Sequence, residues 1–400
     1  MKRILPTIVV AQFLCTSLWF AGNAIMPDIV QQFKLTPGWL AHLTSSVQFG
    51  FISGTFIFAL LSIADRFSPS RVFMISAILA ACCNFCISYP HIDTTRLLLF
   101  RFLTGFFLAG IYPIGMKIAA DHYEQGLGKS LGFLVGALVI GTAFPHLLKS
   151  MIAGMPWRYV LYYTSLLSIA GGLLLVVLVP DGPYRKKAAG IKFSALTDGF
   201  SNRRFRAAAF GYFGHMWELY AFWVFVPVML SAYNSHHAAH PVNVPLLSFL
   251  IIASGSIACI LSGFIAVNAG TKRTATIALL ASCLCCILSP LLLQSQSPVM
   301  LVIFLFCWGM TVIADSPLFS TLVAQNAPAV SKGTSLTIVN CIGFAITIIS
   351  IQLLNALINE KNVQYIFMIL AAGPVFGLIS LWKEKEIVRA GMVPGSHQQN

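Results

Sequence analysis

Residues 181–206 read DGPYRKKAAGIKFSALTDGFSNRRFR. Seven of these positions are basic: Arg185, Lys186, Lys187, Lys192, Arg203, Arg204 and Arg206. The stretch is the longest polar interval between apolar runs in a chain of 400 residues that is 58% hydrophobic and only 9% charged. An ordinary soluble domain carries about a quarter charged residues, so this composition belongs to a membrane protein. A spanning helix needs about 20 apolar residues. Before the interval, such runs occupy 5–28, 39–63, 72–90, 96–120, 131–151 and 157–180. After it, they occupy 207–231, 246–268, 275–296, 299–323, 334–358 and 364–382. The interval therefore divides twelve spans six and six.

The expected fold is an all-α polytopic membrane protein of twelve transmembrane helices. Its parts are an N-terminal six-helix bundle (1–180), a basic linker (181–206), a C-terminal six-helix bundle (207–382) and a tail (383–400). No alternating strand pattern of about 10 residues suggests an outer-membrane barrel. The N-terminus, MKRILPTIVVAQFLCTSLWFAGNA, imitates a signal peptide, but its apolar run extends from Ile4 to about Pro27. That is too long for a typical signal core, and the segment is read as a retained span 1.

Charge sets the orientation, because positive residues collect on the cytoplasmic side. Placing 181–206 there puts both termini there too, together with Lys2, Arg3, Arg66, Arg71, Lys129, Lys272, Arg273, Lys332, Lys383, Lys385 and Arg389. The opposite side keeps mainly Lys34, Arg96, Arg158 and Lys361. The net charge of +13 is then a topology signal, and no nucleic-acid partner is needed to explain it. A bacterial-type inner (cytoplasmic) membrane is the expected location, with both termini cytoplasmic. The ten cysteines all fall inside apolar spans, so no structural disulfide is expected. The clusters ACCNFC and SCLCC are read as small apolar packing residues rather than metal ligands.

The two halves repeat. Phe20-Ala21 and Pro27 match Tyr220-Ala221 and Pro227 at an offset of 200. Gly105 and Pro113 match Gly309 and Pro317 at 204, and Gly128-Lys129-Ser130-Leu131 matches Gly333-Thr334-Ser335-Leu336 at 205. A slowly growing offset is what two six-helix repeats with small insertions give. Parallel repeats around a midplane site are a transporter architecture.

With these features the chain resembles the major facilitator superfamily over essentially its full length. The loop LSIADRFSPSR is similar to that family's Gly-x-Leu-Ala-Asp-Arg-x-Gly-Arg-Arg loop, with Ala64, Asp65 and Arg66 matching. Leu61 and Ser68 replace its two glycines. After span 8, GFIAVNAGTKR keeps both glycines, Gly263 and Gly270, but has Val267 and Asn268 for the Asp-Arg pair. RFLTG in span 4 is similar to the family's Arg-x-x-x-Gly motif and places Arg101 and Gly105 on it. Span 5 has Gly132, Gly136, Gly141 and Pro145 without Gly-Pro-x-x-Gly-Gly, which counts against a drug–proton antiporter. Spans 2 and 8 lack the arginines of nitrate-type members. The resemblance implies a secondary transporter, a coupling role for Arg101 and a cytoplasmic gate at Asp65 and Arg66.

Ionisable residues at membrane depth are costly and mark function by default. Glu218 stands in MWELYAFWVFVP, with His215 three residues earlier on the same helical face. In an apolar wall a carboxyl group costs least when neutral. The functional reading is a proton or substrate-cation site shared with His215 on a cavity wall, with Phe222 beside it. The alternative is a neutral glutamic acid tying neighbouring helices together. Arg101 either serves coupling, attracts an anionic substrate group, or snorkels to the outer interface. Asp315, two residues before Pro317, is either a second proton site or a partner of a loop cation near the cytoplasmic end. Gln12, Thr16, Trp19 and Asn23 form one stripe of span 1 that lines a cavity or bonds neighbouring helices. Asn340 has the same two readings, and Tyr112 is placed on the cavity beside Asp315's repeat counterpart. Trp217, Tyr220 and Trp223 are read as an interface belt or lipid-facing packing. His146 is expected to be satisfied within span 5. His236, His237 and His240 in SHHAAHP are not expected to hold a metal, since no acid or cysteine accompanies them.

The motifs Gly-x-Ser-x-Gly, His-Glu-x-x-His and Gly-x-x-x-x-Gly-Lys-Ser/Thr are absent, so neither an enzyme nor ATP-driven transport is expected, and no cofactor. The expected function is proton-coupled alternating-access transport of a small polar solute or organic anion by a monomer in the lipid bilayer. The rival readings are an uncoupled facilitator and a non-transporting receptor on the same fold.

Overall fold

The computed structural model describes residues 3–36, 38–123, 127–185, 199–238, 241–328 and 332–390. Among them ten helices are long and apolar enough to cross a membrane, and shorter apolar helices occupy Ile4–Thr16 and Ile366–Trp382. These segments occupy the twelve spans read from the sequence, and no strand occurs among the described residues. Part of the basic linker, including Lys186, Lys187 and Lys192, lies outside the described residues.

Side-chain caps fix several helix starts by accepting from first-turn N–H groups. Asp93 accepts from Arg96 N, Asn202 from Arg204 N and Phe205 N, Asn243 from Leu246 N and Ser297 from Met300 N. Span 7 runs unbroken over Arg203–His236, 34 residues. At 1.5 Å per residue it is about 51 Å long, well beyond the ~30 Å hydrocarbon core.

Spans 1, 4, 10 and 12 are broken. Span 4 consists of Thr94–Leu108 and Tyr112–His122, and span 10 of Pro298–Ala314 and Ser316–Asn326. The restart follows the repeat: Tyr112-Pro113 and Ser316-Pro317 lie 204 residues apart. A proline in a helix's first turn lacks an N–H that would have had no partner there anyway. Span 1 consists of Ile4–Thr16, Ala21–Ala24 and Met26–Phe33. Its counterpart, span 7, carries Pro227 inside an intact helix, so the repeat in sequence does not carry over to this break.

Packing follows the repeat closely. Span 2 packs on 4, 3 on 6, 1 on 6, 1 on 5 and 3 on 4. The counterparts, 8 on 10, 9 on 12, 7 on 12, 7 on 11 and 9 on 10, are all present. Glycine sets the closest approach. A Cβ on Gly105 would overlap the Val47 carbonyl, and one on Gly309 would lie 2.5 Å from the Ile251 carbonyl. Both the glycines and their partners are 204 residues apart. The bundles are joined by spans 2 and 11 and by spans 5 and 8, a pair of contacts that the pseudo-twofold exchanges. At the end of the bundles away from the linker, Gln352 Nε2 of span 11 donates to Ser45 Oγ of span 2 at 2.8 Å.

Candidate functional site at the junction of the two bundles

Span 1 unwinds over residues 17–20, a stretch without glycine or proline. Backbone bonds there run from residue i+3 to i, with Leu18 N to Cys15 O at 3.4 Å and Trp19 N to Thr16 O at 3.0 Å. Arg101 of span 4 turns toward the freed carbonyls. Its Nη1 donates to Leu18 O at 3.2 Å and its Nη2 donates to Trp19 O. Gly22 makes room, since a Cβ there would lie 3.1 Å from Arg101 Nε. Arg101 is 0% exposed, which corrects the reading in which it snorkels to the interface. No carboxylate pairs with it among the described residues, and its Nε has no acceptor.

The break also dissolves the expected stripe on span 1. Gln12, Thr16, Trp19 and Asn23 are all buried, but they no longer share one helical face. Thr16 Oγ1 donates to Gln12 O at 2.8 Å and packs against Gly141 of span 5. Gln12 Oε1 lies over Gly115 of span 4, with neither amide atom hydrogen-bonded. Asn23 Nδ2 donates to Thr44 Oγ1 of span 2 at 2.8 Å. Trp19 alone enters the contact between the bundles.

That contact is aromatic. The Trp19 ring lies 4.8 Å from Phe51, 5.7 Å from Phe344 and 5.9 Å from Tyr220. Phe20 meets Trp223 edge-on at 6.2 Å, and Tyr220 lies 5.2 Å from Trp223. Tyr220 and Trp223 are thus at the centre of the molecule, which corrects their reading as a belt or lipid-facing surface. Trp217 is half-buried beside span 12, with Nε1 3.5 Å from Ile369 O. About two turns of helix before Tyr220, Tyr212 donates to Asn340 Oδ1 at 3.0 Å, and half-buried Tyr112 is within electrostatic reach of Tyr212 and Tyr220.

The acids lie deeper in the C-terminal bundle. Glu218 is 1% exposed, and its hydrogen-bond partners do not include His215. Its Oε1 accepts from Trp308 Nε1 at 2.7 Å and Cys286 Sγ at 3.1 Å, and its Oε2 from Ser282 Oγ at 2.9 Å. Glu218 and Tyr220 are two residues apart, about 200° around a helix. Glu218 therefore faces spans 9 and 10 while Tyr220 faces the other bundle. Phe222 follows Glu218 and packs on Trp308, the rings tilted with centroids 4.7 Å apart, inside the same bundle rather than on a wall between the two. His215 instead pairs with Asp315, Nδ1 to Oδ1 2.8 Å, both 1% exposed. The contact is close in distance but not aligned as a hydrogen bond. Asp315 is thus tied to a buried histidine and not to a loop cation, and it is an electrostatic neighbour of Glu218.

At the end of the bundle that carries the linker, Asp65 does not bridge the halves. Lys117 of span 4 holds Asp65 Oδ1 at 2.9 Å and Asp121 Oδ1 at 3.6 Å. Arg185 donates to the carbonyls of Asp65 and Phe67 and pairs with Asp181 at 3.1 Å. All of these groups belong to the N-terminal bundle or the start of the linker, and Arg66 is exposed. Sequence reasoning missed Lys117, although a lysine inside span 4 was the signal for it. It also missed Gln48, Ser282 and Trp308, which carry no such signal. His146 was expected to be satisfied, but its Nε2 has no partner. His236 Nδ1 lies 2.8 Å from Ala232 O and His237 stacks on Tyr233, while His240 lies outside the described residues. No metal-type cluster occurs among the described residues.

Comparison with known proteins accounts for this architecture. A niacin transporter, NiaP, of Acinetobacter baylyi (strain ATCC 33305 / BD413 / ADP1) is 30% identical over 186 residues. That match spans 38% of this chain and 40% of the relative. The crystal structure of the human organic anion transporter MFSD10 (TETRAN) is similar at a TM-score of 0.70 and 13% identity, over 95% of this chain and 99% of that one. The crystal structure of a mutant of the nucleoside transporter NupG is similar at a TM-score of 0.72 and 16% identity, over 95% of this chain and 99% of that one. The profile of the Major Facilitator Superfamily matches residues 8–351. The chain belongs to the Major Facilitator Superfamily of membrane transporters.

Proposed function

We propose that this transporter moves a small polar solute or organic anion by alternating access, coupled to protons through Glu218. The domains are the two bundles 1–180 and 207–382, joined by the cytoplasmic linker 181–206, and the protein works as a monomer in an inner membrane. The partial relative named for niacin transport supports carriage of a small solute.

One observation carries the coupling. Ser282 has a single hydroxyl hydrogen but two acceptors, Glu218 Oε2 at 2.9 Å and Leu279 O at 3.1 Å. With Glu218 ionised, the hydroxyl serves the carboxylate. With Glu218 protonated on Oε2, the acid donates to Ser282 and Ser282 turns to Leu279 O. Trp308 and Cys286 donate to Oε1 in both states. Both protonation states are thus hydrogen-bonded within a buried site, where an unmatched one would cost about 1–3 kcal/mol or more. Glu218 ties span 7 to spans 9 and 10, and a proton there reverses its bond to Ser282 of span 9. Asp315, an electrostatic neighbour of Glu218, is the second buried carboxyl group of this bundle.

The test is infrared difference spectroscopy of purified protein across pH, reading the neutral carboxylic acid band. A band that titrates in the wild type and disappears in Glu218→Gln supports the reading. An unchanged titration in that variant removes Glu218 from it.

A further inference from the structure

Residues 18–23 of span 1 gather an unusual set of buried polar atoms without partners. Arg101 Nε, Trp19 Nε1 and Trp223 Nε1 are donors with no acceptor, and Asn23 Oδ1 and both amide atoms of Gln48 are also unmatched. Contacts place these groups around one stretch of chain. Arg101 binds the carbonyls of Leu18 and Trp19 and lies over Gly22. Gln48 stands on span 2 between Thr44, which bonds Asn23, and Phe51, which packs on Trp19. Trp223 packs on Phe20. Buried polar groups are nearly always hydrogen-bonded, and a buried cation held only by neutral carbonyls is poorly compensated. The unmatched set is rich in N–H donors, its one fixed charge is positive, and its surroundings are aromatic.

We infer that this collar, Arg101, Trp19, Gln48 and Trp223, binds the carboxylate of a solute with a flat ring. The inference rests on the transporter reading above and names its substrate class. A guanidinium presents fixed N–H groups that match a carboxylate in geometry as well as charge. Indole N–H groups and the Gln48 amide supply further donors. The rings of Trp19, Phe51, Tyr220 and Phe344, which close on one another at 4.6–5.9 Å, are the surface against which a solute ring lies once the bundles part. The acids stay out of the way, because Glu218 is engaged by spans 9 and 10 and Asp315 by His215.

The test is equilibrium binding to the purified full chain in detergent, with benzoate, benzamide and cyclohexanecarboxylate as probes. Benzoate is expected to bind at least about tenfold more tightly than benzamide, the scale of one charge-assisted hydrogen bond. Arg101→Gln should abolish that preference. Trp223→Phe, which keeps the ring and removes the N–H, should weaken benzoate about two- to tenfold. If Arg101→Gln does not fold, Trp223→Phe and Gln48→Leu decide alone, and unchanged benzoate affinity in both overturns the proposal. Equal binding of benzoate and benzamide, or no benzoate binding by the wild type, overturns it as well. Equal binding of cyclohexanecarboxylate overturns the flat-ring part. The infrared titration of Glu218 needs no ligand, so either proposal can fail while the other stands.

Discussion

The two bundles share a frame and differ in how they hold charge. In the N-terminal bundle a helix comes apart, and its carbonyls receive the side chain of Arg101. In the C-terminal bundle the matching helix stays whole and carries Glu218 and His215 itself, with Asp315 at the break of span 10. Glu218 occupies the position equivalent to Leu18, whose carbonyl Arg101 binds. Asp315 is equivalent to Ile111, and Arg101 to Leu305. A cation in one half thus corresponds to leucine in the other, and the acids of the second half correspond to leucine and isoleucine in the first. The repeat supplies geometry twice over, while the chemistry is divided between the halves, with a fixed positive charge on one side and protonatable groups on the other.

That division can be broken most severely by copying the cation. Leu305 is fully buried, and span 7 offers it no unwound neighbour equivalent to residues 17–20. Leu305→Arg should therefore cost on the order of 3–5 kcal/mol, an uncompensated buried charge, seen as lost monodisperse protein in size-exclusion chromatography. The shared frame should respond equally in both halves. Gly105→Val and Gly309→Val should each cost about 3 kcal/mol by forcing two helix backbones apart, whereas Gly263→Val, with open space around it, should leave the thermal midpoint unchanged. Making the acid position match its counterpart, Glu218→Leu, strands the Trp308 N–H and should cost about 1–3 kcal/mol in thermal unfolding. The smallest effect is expected at the Lys117 cluster. Lys117→Met leaves Asp65 and Asp121 facing each other and should cost about 1 kcal/mol or less, because the cluster is partly exposed. That loss should shrink in high salt.

Much of this was legible beforehand for a physical reason. A bilayer admits only long apolar helices or barrels, so the spans, the central linker and the pairing of Gly105 with Gly309 stand out in the sequence. The break in span 1 does not. Residues 17–20 contain no helix breaker, and the group that engages their carbonyls lies more than eighty residues away at Arg101. The direction of Glu218 was hidden as well, because span 7 is apolar on every side and no polar stripe says which face meets the other bundle. Trp308, Ser282 and Cys286 look like ordinary membrane residues until they converge on one carboxylate. Lys117 was visible as a charge within span 4, but its partner Asp65 was assigned to a gate between the halves.

The central claim is that the intact helix of the second bundle carries the coupling proton on Glu218. The most direct test is uptake into proteoliposomes under an imposed proton gradient, using a solute chosen because it stabilises the purified wild type. The wild type should accumulate this solute above equilibrium. Glu218→Gln should exchange it across the membrane at zero gradient yet only equilibrate when the gradient is imposed. Accumulation by Glu218→Gln as strong as in the wild type would contradict the account.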